Sequence, residues 1–118
     1  MILLKRVYES ATPEDGFRIL VERLWPRGLS KQAAHIDLWL KDISPTPALR
    51  KWYSHDVSKW IEFQQRYRAE LGVNQAVSQL QSLLLEKGTV TFVFAARDEE
   101  HNSARVLKEF LERNVRRE

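Results

Sequence analysis

Residues 89–96, Thr-Val-Thr-Phe-Val-Phe-Ala-Ala, are apolar or β-branched at every position. A strand with one wet face alternates apolar and polar residues. A continuous run of strand length must be covered on both faces, the situation of a parallel strand between layers. This run therefore predicts an α/β protein built on a small, mostly parallel sheet flanked by helices. With 118 residues the chain has material for one core and not for two, so residues 1–118 are expected to form a single three-layer domain.

The rest of the chain supplies the flanking elements. Residues 2–7 read as a first strand, closed by the turn-like stretch 9–16. Residues 17–25 carry Ile19, Leu20, Val21 and Leu24, which also suit a helix face. Gly16 before them and Pro26 after them favour a strand. Ser30 is a helix N-cap, and Ile36, Trp39, Leu40 and Ile43 follow at spacings of three and four, predicting a helix that ends before Pro45.

Thr46-Pro47 opens another helix, with a hydroxyl for the free amides and a proline where no amide is needed. Asp56 offers a further cap ahead of Val57, Trp60, Phe63, Tyr67 and Leu71. Gly72 interrupts or ends that helix. Val73, Ala76, Val77, Leu80, Leu83 and Leu84 make the next one, stopped by Gly88. Past a polar connection at 97–102, Val106, Leu107, Phe110 and Leu111 give a last amphipathic helix, with Arg105, Glu109 and Arg113 on its solvent side. Residues 116–118 are expected to fray.

Composition removes several classes of function. There is no cysteine, hence no disulfide, thiolate metal cage or cysteine nucleophile. The N-terminal order of residues is not that of a signal peptide, and no apolar run approaches the roughly 18–20 residues of a membrane span, so a cytoplasmic protein without membrane association is expected. The P-loop, dinucleotide-turn and nucleophile-elbow glycine patterns are absent, as is a zinc-binding His-Glu-x-x-His helix. No metal and no cofactor are expected on these grounds. The remaining alternative is a haem or other coloured group on a histidine, which an absorption spectrum tests.

Three segments concentrate chemistry. In Arg23-Leu24-Trp25-Pro26-Arg27-Gly28, two guanidiniums flank an indole at a strand end, and arginine forks bind phosphate or carboxylate while the ring stacks. The competing reading packs Trp25 in the core and pairs the arginines with Glu22, Asp37 or Asp42. In Ala95-Ala96-Arg97-Asp98-Glu99-Glu100-His101-Asn102, small residues end a buried strand just before a helix whose free amides suit an anion. There Arg97 adds charge and His101 a group that titrates near neutrality, while the three acids oppose an anion. Arg50, Tyr53 and His55 lie between two helices. A histidine beside an arginine suits acid–base work, although a lone histidine is more often structural. Trp39, Trp52, Trp60, Phe63 and Tyr67 fall at helix spacing and suit the core.

These residues also carry a resemblance. Lys5-Arg6-Val7-Tyr8, the string from Asp15 through Arg23-Leu24-Trp25-Pro26-Arg27-Gly28, Leu49-Arg50, His55 and the 95–102 stretch resemble the YeaO-like branch of the domain-of-unknown-function 488 family over nearly the whole chain. The resemblance implies a small α/β domain in which the segment ending at Trp25-Pro26 is a strand. It assigns no function. Longer members of the wider family look to place cysteines near the 95–102 junction. This chain has none there, so no thiol chemistry carries over.

The leading expectation is a pocket for a small anionic ligand, phosphate- or nucleotide-like. Its ligand-binding residues would be Arg23, Trp25, Arg27, Arg50, Arg97, Asp98 and Asn102, with His55 and His101 moving protons if chemistry occurs. The net charge of +3 and the isoelectric point near 9.4 leave a second expectation open. This is a nucleic-acid accessory module using Arg113, Arg116 and Arg117. A protein-interaction role for exposed tryptophans is the third.

Overall fold

The computed structural model describes the backbone of residues 1–116 and the side chains as far as Arg113. Four strands form one sheet: β1 (Ile2–Arg6), β2 (Phe17–Leu20), β3 (Leu38–Trp39) and β4 (Val90–Phe94), in the order β1-β4-β2-β3. Every pairing is parallel. β4 is thus an inner strand with a neighbour on each side, and all five of its residues are buried, as its unbroken apolar pattern requires.

Side chains alternate between two unequal faces. Ile19 and Val21 of the β2 segment, with Val90, Phe92 and Phe94 of β4, enter the main core. There they meet α2 (Pro47–Tyr53), α3 (Trp60–Gly72), α4 (Ala76–Lys87) and α5 (Ser103–Arg116), through Leu49, Phe63, Leu80, Leu107 and their neighbours. On the other face Val7 and Val93 meet Ala34 of the four-residue helix α1 (Lys31–Ala34), with Trp25, Leu29 and Ile36 packed around them. The third layer is therefore one helical turn and a long loop.

Beside that small cluster lies a polar network on the same face. Arg18, only 4% exposed, donates to the Asp15 carboxylate (2.7 Å) and to the carbonyls of Ala34 (3.0 Å) and His35 (2.9 Å). It so satisfies carbonyls at the open C-terminal end of α1. Lys5 joins Asp15 at 3.0 Å, and the Thr91 hydroxyl donates to the Asp15 carbonyl.

The caps read from sequence are present at Ser30, Thr46 and Asp56, the last opening the short 3-10 turn Val57–Lys59 ahead of α3. Gly88 ends α4 at φ +76°. Two expectations are overturned. The helix expected to run from Ser30 through Ile43 is α1, then β3, then the 3-10 turn Lys41–Ile43. His35 turns left-handed at φ 51°, after which Asp37 and Leu40 donate backbone hydrogen bonds to the Arg18 and Leu20 carbonyls. Pairing with β2 thus outweighs the apolar helix spacing. The strand expected over 17–25 ends at Leu20, because the chain beyond Val21 leaves the sheet to wall the cavity described next.

Candidate functional site

In a parallel sheet, ligands collect where the carboxyl ends of the strands open between diverging loops. Here a cavity of about 360 Å³ occupies that edge. Its walls come from the segments following all four strands, including Tyr8 after β1, Glu22 to Arg27 after β2, Ser44 and Pro45 after β3, and Ala95 and Ala96 after β4. The α2 end (Arg50, Tyr53, His55), Phe63 of α3 and the α5 start (His101, Asn102, Ser103) complete it.

Of the nine residues singled out from sequence, seven reach this cavity: Arg23, Trp25, Arg27, Arg50, His55, His101 and Asn102. They come from three separate stretches of chain, which only the fold brings together. Arg97 and Asp98 do not line it. Arg97 is exposed on the connecting loop, and the Asp98 carboxylate accepts from the amides of Glu100 (2.9 Å) and His101 (3.1 Å) and contacts the His101 Nδ1 at 2.9 Å. These bonds to the Glu100 amide and to His101 hold the Asp98 carboxyl below its usual range, against a smaller opposing effect of burial. Asp98 positions His101; it does not face the cavity.

The arginines differ in how firmly they are held. Arg23 donates to the carbonyls of Pro45 and Ser44, each at 3.3 Å. Those partners fix its guanidinium without neutralising it. Arg27 and Arg50 are exposed. Among the described residues none of these three, nor Arg97, makes an ion pair, so the pairing with Glu22, Asp37 or Asp42 considered above is not formed.

Trp25 packs beside the smaller core cluster and also stands at the cavity wall. It is half-buried, packs edge-on to Trp39 with centroids 5.3 Å apart, and donates its indole N–H to the Leu29 carbonyl at 2.6 Å. It is nonetheless one of the residues that line the cavity. Asn102 is committed to the fold. Its amide oxygen accepts from Arg105 N–H (3.0 Å) and its nitrogen donates to the Asp98 carbonyl (2.9 Å), capping α5.

The histidines are displayed by local backbone. Ser54 and His55 are consecutive left-handed residues, at φ 44° and 59°, a costly arrangement for non-glycine residues that turns His55 toward the cavity wall. His101 stands edge-on to Trp60, with centroids 5.2 Å apart, and its carbonyl accepts from the Tyr53 hydroxyl at 3.1 Å.

Tyr8 and Glu22 are among the polar wall residues that sequence reading did not single out. Tyr8, whose hydroxyl donates to the Arg27 carbonyl at 3.1 Å, had no local signal beyond its place after a strand. Glu22 was considered only as an ion-pair partner. In the fold its Oε2 accepts from the Ala95 amide at 2.7 Å. Burial pushes its carboxyl up, opposed by that amide and by the positive charges of His55 and Arg50.

Among the described residues there is no cluster of three or more metal-ligating side chains, and no helix is long and apolar enough to cross a membrane. Of the basic C-terminal residues, Arg113 is exposed on α5; the Arg116 and Arg117 side chains lie outside the described residues.

Comparison with known proteins gives one family and no solved structure. A family model, DUF488-N3i, described as "Inactive DUF488-N3 subclade", matches residues 1–118. The chain is 38% identical over 110 residues to "Uncharacterized protein Rv3073c" of Mycobacterium tuberculosis, covering 93% of this chain and 92% of that one. It is 37% identical over 110 residues to "Uncharacterized protein YeaO" of Escherichia coli, covering 93% and 96%. No solved structure matches.

Proposed function

The chain belongs to the DUF488-N3i family, and we propose that this protein is a binding domain for a small anionic, phosphate- or nucleotide-like ligand held at the carboxyl edge of the sheet. One observation carries the reading: Arg23, Arg27 and Arg50 line a single cavity, and none makes an ion pair among the described residues. Unneutralised guanidiniums around a concavity of this size attract an anion and offer it forked hydrogen bonds. Arg23, fixed by two carbonyls, is the preorganised contact. Arg27 and Arg50 close on the ligand from the rim, and Trp25 and Tyr8 offer aromatic surface to a ring. His55 and His101 add donors when protonated. The word "inactive" in the family's description favours binding over turnover. For turnover, proton transfer is assigned to these two histidines, which both line the cavity.

Calorimetric titration with inorganic phosphate and with AMP at pH 7 tests this. Because Arg27 and Arg50 are exposed, Arg27→Gln and Arg50→Gln should leave the fold intact, and each should weaken binding by about tenfold, the scale of one charge-assisted contact. A short labelled oligonucleotide titrated at low and moderate salt forms the opposing arm. Steeply salt-dependent oligonucleotide binding with no response to phosphate or AMP would replace the pocket reading with the nucleic-acid one.

A further inference from the structure

The arginine-lined cavity contains one carboxylate, and its position demands a reason. β2 pairs with β4 as far as Leu20 opposite Val93, and the Val21 amide still donates to the Val93 carbonyl at 3.2 Å. The chain then turns away from the sheet, leaving the amide of Ala95, just past the end of β4, without a strand carbonyl. Glu22 Oε2 takes that place at 2.7 Å, while the Glu22 carbonyl accepts from the Trp39 indole at 2.7 Å. The residue is pinned by its backbone and by one carboxylate oxygen.

The second oxygen is different. Among the described residues Glu22 Oε1 has no hydrogen-bond donor, and it is not a sealed, unsatisfied side-chain atom as Arg68 Nε is. It is therefore accessible, and Glu22 lines the cavity. A neutral glutamine oxygen also accepts from an amide, though more weakly, so capping Ala95 does not by itself call for a charge. A pocket for a bare anion gains nothing from a fixed negative charge beside it.

A ligand carrying hydroxyl donors next to its anionic group resolves the conflict. Carboxylates bind sugar hydroxyls well because each O–H donates to a charged acceptor, the same chemistry by which an acidic residue reads a ribose in dinucleotide folds. Resting on the anion-binding reading above, we infer that the ligand is a phosphorylated polyol, a sugar phosphate or the sugar-phosphate part of a mononucleotide, with Glu22 Oε1 accepting from its hydroxyls and the arginines holding its phosphate. The volume of about 360 Å³ lies near the lower end for small-molecule pockets, roughly 300–1,000 Å³, which suits one such unit.

Titration with ribose 5-phosphate, ethyl phosphate and inorganic phosphate, on the native protein and on Glu22→Gln, tests this. The native protein should bind ribose 5-phosphate about tenfold or more tighter than ethyl phosphate, the range of a hydrogen bond to a charged group. In Glu22→Gln the affinities should move in opposite directions. Ribose 5-phosphate weakens by about tenfold, while both hydroxyl-free phosphates tighten because a like charge is gone. Ethyl phosphate and ribose 5-phosphate binding equally to the native protein overturns the inference and leaves anion binding standing. So does a Glu22→Gln protein in which all three tighten together. Binding of none of them to the native protein removes both readings. The comparison within the native protein decides the matter even if the variant does not fold. AMP as a fourth ligand separates the two sources: tighter binding than ribose 5-phosphate indicates a mononucleotide, weaker binding a sugar phosphate.

Discussion

Replacing Asp15 by Asn should be among the most damaging single-atom changes in this protein. The Asp15 residue is 5% exposed, and its carboxylate accepts from Arg18 at 2.7 Å, Lys5 at 3.0 Å, and the Thr12 amide and hydroxyl, each at 3.1 Å. Burial is the largest single influence and pushes its carboxyl up. The Thr12 amide, Lys5, Arg18 and the Thr12 hydroxyl together outweigh it and hold the group at about 2 instead of 3.8. That difference corresponds to about 2 kcal/mol of charge-specific stabilisation at neutral pH. The variant also turns an amide NH₂ toward two cationic donors and leaves the buried Arg18 charge without its counter-ion, so the total should approach the roughly 3–5 kcal/mol typical of a broken buried pair.

The pH dependence supplies the sharper check. Because the folded-state value is depressed, the carboxylate's contribution is complete above the unfolded value of 3.8 and is lost as pH falls through about 2. Urea unfolding followed by circular dichroism should show a gap between the two proteins that is constant from pH 7 to pH 5. By pH 3 the charge-specific part should have fallen to about half. A gap below about 1 kcal/mol at pH 7, well short of the buried-pair range, or one of the same size at pH 3, refutes the assignment.

Three further outcomes follow from the geometry. Gly16→Ala places a Cβ 2.3 Å from the Thr89 carbonyl oxygen at a residue with φ +65°, and should cost more than about 2 kcal/mol in urea unfolding, combining strain with overpacking. Asn102→Ala removes the α5 cap and should lower stability by about 1–2 kcal/mol, with faster amide exchange at Arg105 as the local readout. The buried Tyr67 hydroxyl donates to the Ile43 carbonyl at 2.7 Å, and burial, reinforced by the Glu70 and Glu22 charges and opposed by Arg23, pushes its phenol upward. Tyr67→Phe should cost about 1–2 kcal/mol, and ultraviolet titration of the native protein should show this phenol ionising only when the fold is lost.

Local chemistry was legible wherever a residue's role depends on its neighbours in sequence. The unbroken apolar run around Phe92 predicted a doubly covered strand, and Ser30, Thr46 and Gly88 marked helix ends, because capping and backbone freedom are settled within a few residues. The 35–43 segment was misread for the complementary reason. Its apolar spacing suits a helix, but the left-handed turn at His35 and the bonds to Arg18 and Leu20 make it an edge strand, and those partners lie some twenty residues away.

The site divides along the same line. Sequence alone determined an α/β domain around one buried parallel strand, with arginine, tryptophan and histidine gathered near the chain turns where such domains open. Tertiary structure decided which of them share a cavity. It brought Arg23, Arg27, Arg50, His55 and His101 together, sent Arg97 to solvent, turned Asn102 into a cap and set Glu22 on the wall. The physical reason is that a binding wall assembled from the ends of several parallel strands is defined by the order of those strands. That order arises from long-range pairing, which no stretch of the chain encodes by itself.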